Sequence, residues 1–114
     1  MRRSVVTIGI IVITFAASLP ALAKSARCFS TSAGAYACDF RFLSERYGFP
    51  PGSFTAISPA NGTVQLIVSE PGVAEIYYLN DETGQAFRGG TFHRMEEDLA
   101  CWYNGDLDEK FCAY

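Results

Sequence analysis

The sequence predicts an all-β fold, a small disulfide-stapled antiparallel sandwich or barrel of about six to eight short strands. Three observations carry this reading. Apolar and polar residues alternate with a period of two over 35–43. Turn signals recur roughly every eight to twelve residues through the rest of the chain, the rhythm of short strands. Four cysteines, Cys28, Cys38, Cys101 and Cys112, fall into two close pairs, as short hairpin staples would.

The region before the first cysteine reads as a cleaved signal peptide, residues 1–23. Arg2 and Arg3 give a positive start, and Val5 to Leu19 is an unbroken apolar and small-residue run. Pro20 breaks that run, and Ala21-Leu22-Ala23 supplies a small-x-small cleavage pattern. Ser4-Val5-Val6 does not continue a twin-arginine motif, and Cys28 lies too far past the apolar run to be a lipid anchor. Cleavage leaves 24–114, 91 residues, as a single exported β-rich domain. A bacterial-looking signal places it in the periplasm or outside the cell, where paired thiols oxidise. No second long apolar segment follows residue 23, so no membrane association is expected after cleavage.

The elements follow in order. Lys24 to Arg27 reads as a loose leader. The strand over 35–43 puts Tyr36, Cys38, Phe40 and Phe42 on one face, with Ala37, Asp39 and Arg41 on the other. Residues 44–52 form a loop, because Pro50-Pro51-Gly52 forbids regular pairing. Ser53 to Ser58 is a second strand, and Asn61-Gly62 turns it into a third over 63–69, whose Val64, Leu66 and Val68 share a face. Glu70-Pro71-Gly72 turns the chain into Val73–Leu79, a β-branched and aromatic run. Asn80 to Gly84 is a further turn. Residues 85–88 and 91–95 read as two short strands separated by Gly89-Gly90, and 96–99 as a loop or single helical turn.

Two closing strands carry the last cysteines. Their hairpin places Cys101 opposite Cys112, Trp102 opposite Phe111 and Tyr103 opposite Lys110, with Trp102 lying over a disulfide. Cys28 and Cys38 face each other across 30–35. The local pairing, Cys28–Cys38 and Cys101–Cys112, is the expected one of three connectivities. A bridge from the first strand to the last, which would close a barrel, is its rival.

Chemistry-bearing residues are few. His93 is the single histidine. A hydrolase or nuclease would need it beside a carboxylate such as Glu75, Glu96 or Glu97 and an arginine such as Arg88 or Arg94. The cysteine spacings do not match zinc ligand pairs. Asn104, Asp106 and Asp108 imitate the start of a calcium loop, but Glu109 stands where such a loop needs glycine. No metal and no cofactor is expected. Asn61-Gly62-Thr63 is a glycosylation sequon only in a eukaryotic secretory route and is otherwise a turn. After cleavage, seven basic residues face twelve acidic ones, a formal charge of about −5, which argues against nucleic acid and anionic membranes as partners. Aromatic residues remain as recognition candidates, namely Tyr47 and Phe49 on the 44–52 loop, with Tyr77 and Tyr103.

The stretch Ala100-Cys101-Trp102-Tyr103-Asn104 through Phe111-Cys112-Ala113-Tyr114, with Tyr36-Ala37-Cys38-Asp39-Phe40 and Glu70-Pro71-Gly72-Val73-Ala74, resembles a group of small exported alphaproteobacterial proteins of unknown function. The resemblance spans 36–114 and implies export and fold without an activity. The Tyr-x-Cys start is also similar to that of the bacterial lysozyme inhibitors, small periplasmic β-barrels. The chain departs from them, because their Ser-Gly-x-x-Lys-Tyr-type loop lies late in the domain. Here only Ser32-Ala33-Gly34-Ala35-Tyr36, near the start, is comparable. The expected function is a non-enzymatic binding protein for an envelope or extracellular partner, protein or ligand. The alternatives are a periplasmic inhibitor of a basic hydrolase such as lysozyme and a small hydrolase or nuclease centred on His93. An inhibitor would present Tyr47, Phe49 and an acidic loop together.

Overall fold

The computed structural model describes residues 24–114; the expected export signal over 1–23 lies outside the described residues. The chain runs through eight antiparallel strands: β1 (Lys24–Ser30), β2 (Gly34–Phe42), β3 (Phe54–Ser58), β4 (Gly62–Glu70), β5 (Val73–Leu79), β6 (Ala86–Arg94), β7 (Cys101–Asn104) and β8 (Glu109–Ala113). Each strand pairs with the next, and β8 returns to β1, so the sheet closes as a barrel rather than stacking as a sandwich. Closure removes both sheet edges without a bridge between first and last strand. The hydrogen-bonded register Cys28↔Ala113, Phe29↔Cys112 and Ser30↔Phe111 does the closing.

Two expectations need correction. Lys24 to Arg27 is not a loose leader; it pairs with Ala37–Phe40 as the first half of β1. Small and polar residues hid this strand, although Ala26 and Cys28 alternate inward. Residues 85–88 and 91–95 are not two strands either. They form one, β6, because Gly89 is an extra residue between the rungs Ile76↔Gly90 and Tyr77↔Arg88. A bulge of this kind keeps a strand paired while bending it. Gly90 sits there at φ 116, a backbone region that favours glycine.

Eight strands enclose a space that side chains can just fill. Leu66, Ala74, Ile76 and Phe92 have no exposed surface, and Cys28 and Phe111 almost none. The inward sets Tyr36/Cys38/Phe40 and Val64/Leu66/Val68 match the alternation in the sequence. The middle of the barrel is therefore a solid plug, and each end is a separate shallow mouth.

Both disulfides form as expected, Cys28–Cys38 and Cys101–Cys112, and they suit an oxidising, extracytoplasmic setting. They lie on opposite sides of the wall. Cys28 and Cys38 belong to the core, joined diagonally, since the direct partner of Cys28 is Tyr36. Cys101 and Cys112 sit directly opposite each other, as do Trp102 and Phe111 and Tyr103 and Lys110. Trp102 and Phe111 point into the core, so these cysteines face outward. Trp102 thus does not cover its neighbouring disulfide. Tyr114 lies against that bridge instead, its hydroxyl 3.4 Å from Cys101 Sγ.

No helix among the described residues is long and apolar enough to cross a membrane.

Candidate functional site

The two barrel ends differ in what surrounds them. One end carries the 43–53, 71–72 and 95–100 connections. The other carries the tight turns 31–33, 59–61, 80–85 and 105–108.

The loop end opens into a cavity of about 420 Å³, within the roughly 300–1,000 Å³ range of small-ligand sites. Phe54 and Trp102, both nearly buried, form its floor, and Phe40 and Val68 line its wall. Phe42 and Leu99, each 64% exposed, stand on its rim. Alternation explains the Phe42 position: it continues the inward face of β2 past the last turn of core, so its ring emerges at the mouth. The Phe40 ring meets Phe42 edge-on at 4.9 Å and Phe54 at 4.7 Å. Pro51 and Pro71, which cannot take part in a ladder as donors, stiffen the connections beside it.

One charged residue lines this mouth. The Arg94 guanidinium lies 5.3 Å from the Trp102 ring centre, a cation–π contact. Its Nε donates to the Leu99 carbonyl at 2.8 Å. Its terminal nitrogens have no partner among the described residues. Lys24 Nζ lies 5.9 Å over the Phe40 ring. The mouth is apolar with a cationic edge, on a chain whose overall charge is negative.

The turn end holds a second cavity of about 360 Å³, over Phe111. Tyr36, Tyr78 and Val64 wall it, and Glu109 is the charged residue in its lining. Burial pushes the Tyr78 phenol above its ordinary value, and the charges of Glu109 and Tyr36 add to the effect. Burial raises Tyr36 likewise. Tyr78 rests on Gly89, where an added Cβ would fall 2.4 Å from the ring.

The structure does not bring the residues expected from sequence together. Tyr47 is 77% exposed, in a single 3-10 turn, Glu45–Tyr47, capped by the Ser44 side chain and by Gly48. Phe49, two residues on, is half-buried. Tyr77 alternates with the fully buried Ile76 and so faces outward on β5. Tyr103 faces outward on β7, its hydroxyl donating to Asp108 at 2.6 Å. These two tyrosines pair with different parts of β6, Arg88 and His93. The residues that the sequence did not mark as binding residues, Phe42, Leu99, Trp102 and Arg94, come from β2 and from the β6–β7 hairpin with its connection. The β6–β7 hairpin sets Arg94, Leu99 and Trp102 together, and closure of the barrel adds Phe42.

His93 lies exposed on β6 between Val73 and Tyr103. Glu75 is on the same outer wall, but its carboxylate is taken. Thr91 donates to Oε2 at 2.5 Å, and the Arg88 guanidinium lies 2.5 Å from Oε1 as an ion pair without hydrogen-bond alignment. None of the cavities described above includes His93. Glu96 and Glu97 are exposed in the loop beyond. Of the calcium-like residues, Asn104 accepts from the Asp106 and Leu107 backbone N–H groups, the local bonding of a turn.

A latch holds the loop that carries Leu99. The Tyr114 hydroxyl donates to Asp98 Oδ2 at 2.6 Å, and the Ala100 N–H donates to Oδ1 at 3.1 Å. The Tyr114 bond, then the Ala100 bond, holds Asp98 below its ordinary value, and the same hydroxyl bond holds Tyr114 above its own. The Asp98 contribution is present above the ordinary carboxylate value and lost as pH falls through the lowered one. The Tyr114 contribution is full below the ordinary tyrosine value and lost as pH rises through the raised one. Tyr114→Phe is expected to move the acid titration of the Ala100 amide upward in pH and abolish its alkaline step, followed by NMR. Identical titrations in both proteins would show that the latch does not form.

No protein-family model matches this chain, and neither a curated protein nor a solved structure matches it.

Proposed function

We propose that this chain is a non-enzymatic binding domain, exported to the periplasm or the exterior after loss of the signal peptide over 1–23. It takes an apolar group of a protein or envelope ligand into the loop-end mouth. The observation that carries this reading is the open, aromatic-floored cavity with Phe42 and Leu99 exposed on its rim. Large apolar side chains left exposed together beside a cavity favour a binding surface. His93 lies on the outer wall and lines neither mouth. Similarity to small exported alphaproteobacterial proteins supports export in the same way as the signal-like start.

Arg94 adds a preference. A group entering beside it with a negative charge would satisfy terminal nitrogens that the protein leaves free. Anilinonaphthalene sulfonate, an apolar anion, is therefore a suitable probe. It is expected to bind the native protein saturably. Phe42→Asp and Leu99→Asp are each expected to weaken that binding about tenfold or more, since a carboxylate replaces apolar contact and repels the probe. Thermal midpoints should barely move, because both side chains are mostly exposed. Unchanged affinity in both variants would remove the mouth as the binding site.

A further inference from the structure

The turn-end cavity has a chemistry that the loop-end mouth lacks, and it stands independently of the function proposed above. We propose that it is a binding site for a quaternary ammonium group, with Tyr36, Tyr78 and Phe111 as ring walls and Glu109 as counter-charge. The cavity of about 360 Å³ is large enough for such a head group. Aromatic faces attract cations through the ring quadrupole, and more strongly where water is excluded. Glu109 has no cation within salt-bridge distance among the described residues, so its charge is unmatched at the mouth. The flanking turns 80–85 and 105–108 add Asp81, Glu82, Asp106 and Asp108 with no lysine or arginine.

The walls are pre-set. Tyr78 is seated on Gly89, and Tyr36 packs against the buried core, so neither ring must be ordered by the ligand. The class of cation follows from the lining. A metal ion would need converging oxygen or nitrogen ligands, and no group of three His, Cys, Asp or Glu side chains stands together among the described residues. Ser30, Ser32 and Asn61 also line the cavity and could accept from a primary ammonium, so the preference for a quaternary one rests on the three ring faces and on its weak hydration. A quaternary ammonium has no donors and is weakly hydrated, so rings with one carboxylate suffice.

The test uses the purified, disulfide-intact protein, with the Tyr36 and Tyr78 ring resonances followed by NMR. Choline is expected to shift both rings saturably, while its neutral tert-butyl isostere binds about tenfold more weakly or not at all. Glu109→Gln should weaken choline about tenfold with Trp102 emission unchanged, because Trp102 lines the opposite mouth. Tyr78→Leu should abolish binding, and Tyr78→Phe, which keeps the ring face, should retain it. Vesicles separate two sources of the same group. Retention on phosphatidylcholine but not phosphatidylglycerol would identify a lipid head group, and choline binding without vesicle retention a free solute; either supports the site. Equal affinity for choline and its isostere, an unaltered Glu109→Gln, or rings that do not respond would overturn it.

Discussion

Phe92→Ala is expected to destabilise the domain by about 3–5 kcal/mol, the usual cost of deleting a wholly buried phenylalanine. Phe92 has no exposed surface, and its partner across the β5–β6 ladder is Ala74, also fully buried. A small residue opposite a large one fills the barrel layer only while the large one is present. Ala74 cannot extend into the space, and its neighbour Ile76 already fills a fully buried position of its own. Net stabilities of small domains are about 5–15 kcal/mol, so the variant should be near the limit of folding. Urea denaturation checks this. A wild-type midpoint would mean that the plug between the two mouths is not packed as described.

Removing the inner disulfide is expected to come next. The double replacement Cys28→Ala with Cys38→Ala opens a ten-residue link and should cost about 2–4 kcal/mol. At about 4–8 °C per kcal/mol for a domain this size, the thermal midpoint should fall by about 10–30 °C. Both sulfurs lie in the core, so the loss of packing adds to the loss of the crosslink. Cys101–Cys112 closes a loop of similar length; its cysteines are equally buried but stand outside the main core cluster, so its removal should cost less. Calorimetry of the two double variants gives the comparison. A larger loss from the outer pair would reverse the assignment of faces.

Much of the fold was legible because strand periodicity and turn chemistry are local. The alternation over 35–43 placed Tyr36, Cys38 and Phe40 inward, and Asn61-Gly62 placed the β3–β4 turn. The β7–β8 register followed from the cysteine spacing alone, down to Tyr103 opposite Lys110. β1 was not legible, since its inward face offers only Ala26 and Cys28 after Lys24, and its pairing is fixed only by β2 and β8. The Gly89 bulge was misread as a break because a bulge and a turn use the same residue. Closure, too, rests on a backbone ladder rather than on any motif.

The candidate site was less legible. Exposed aromatics can be guessed one at a time, but a mouth is made by the ends of non-neighbouring strands. Phe42 looked like core by period, and Leu99 like a loop residue. Leu99 is held beside Trp102 and Arg94 by the β6–β7 hairpin, and only closure adds Phe42. Tyr78, not Tyr77, lines the turn-end cavity. Continuing the inward set Ala74 and Ile76 by two residues would have selected Tyr78, a signal that was present in the sequence and local.

Binding at the barrel mouth rather than on its wall can be read residue by residue. In a backbone amide NMR titration with anilinonaphthalene sulfonate, the largest shifts should gather at Phe42, Val68, Leu99 and Trp102, with Glu75, Tyr77 and Arg88 on the outer wall unmoved. Shifts gathered instead along Glu75, Tyr77 and Arg88 would place the binding face on the outer wall and contradict the assignment.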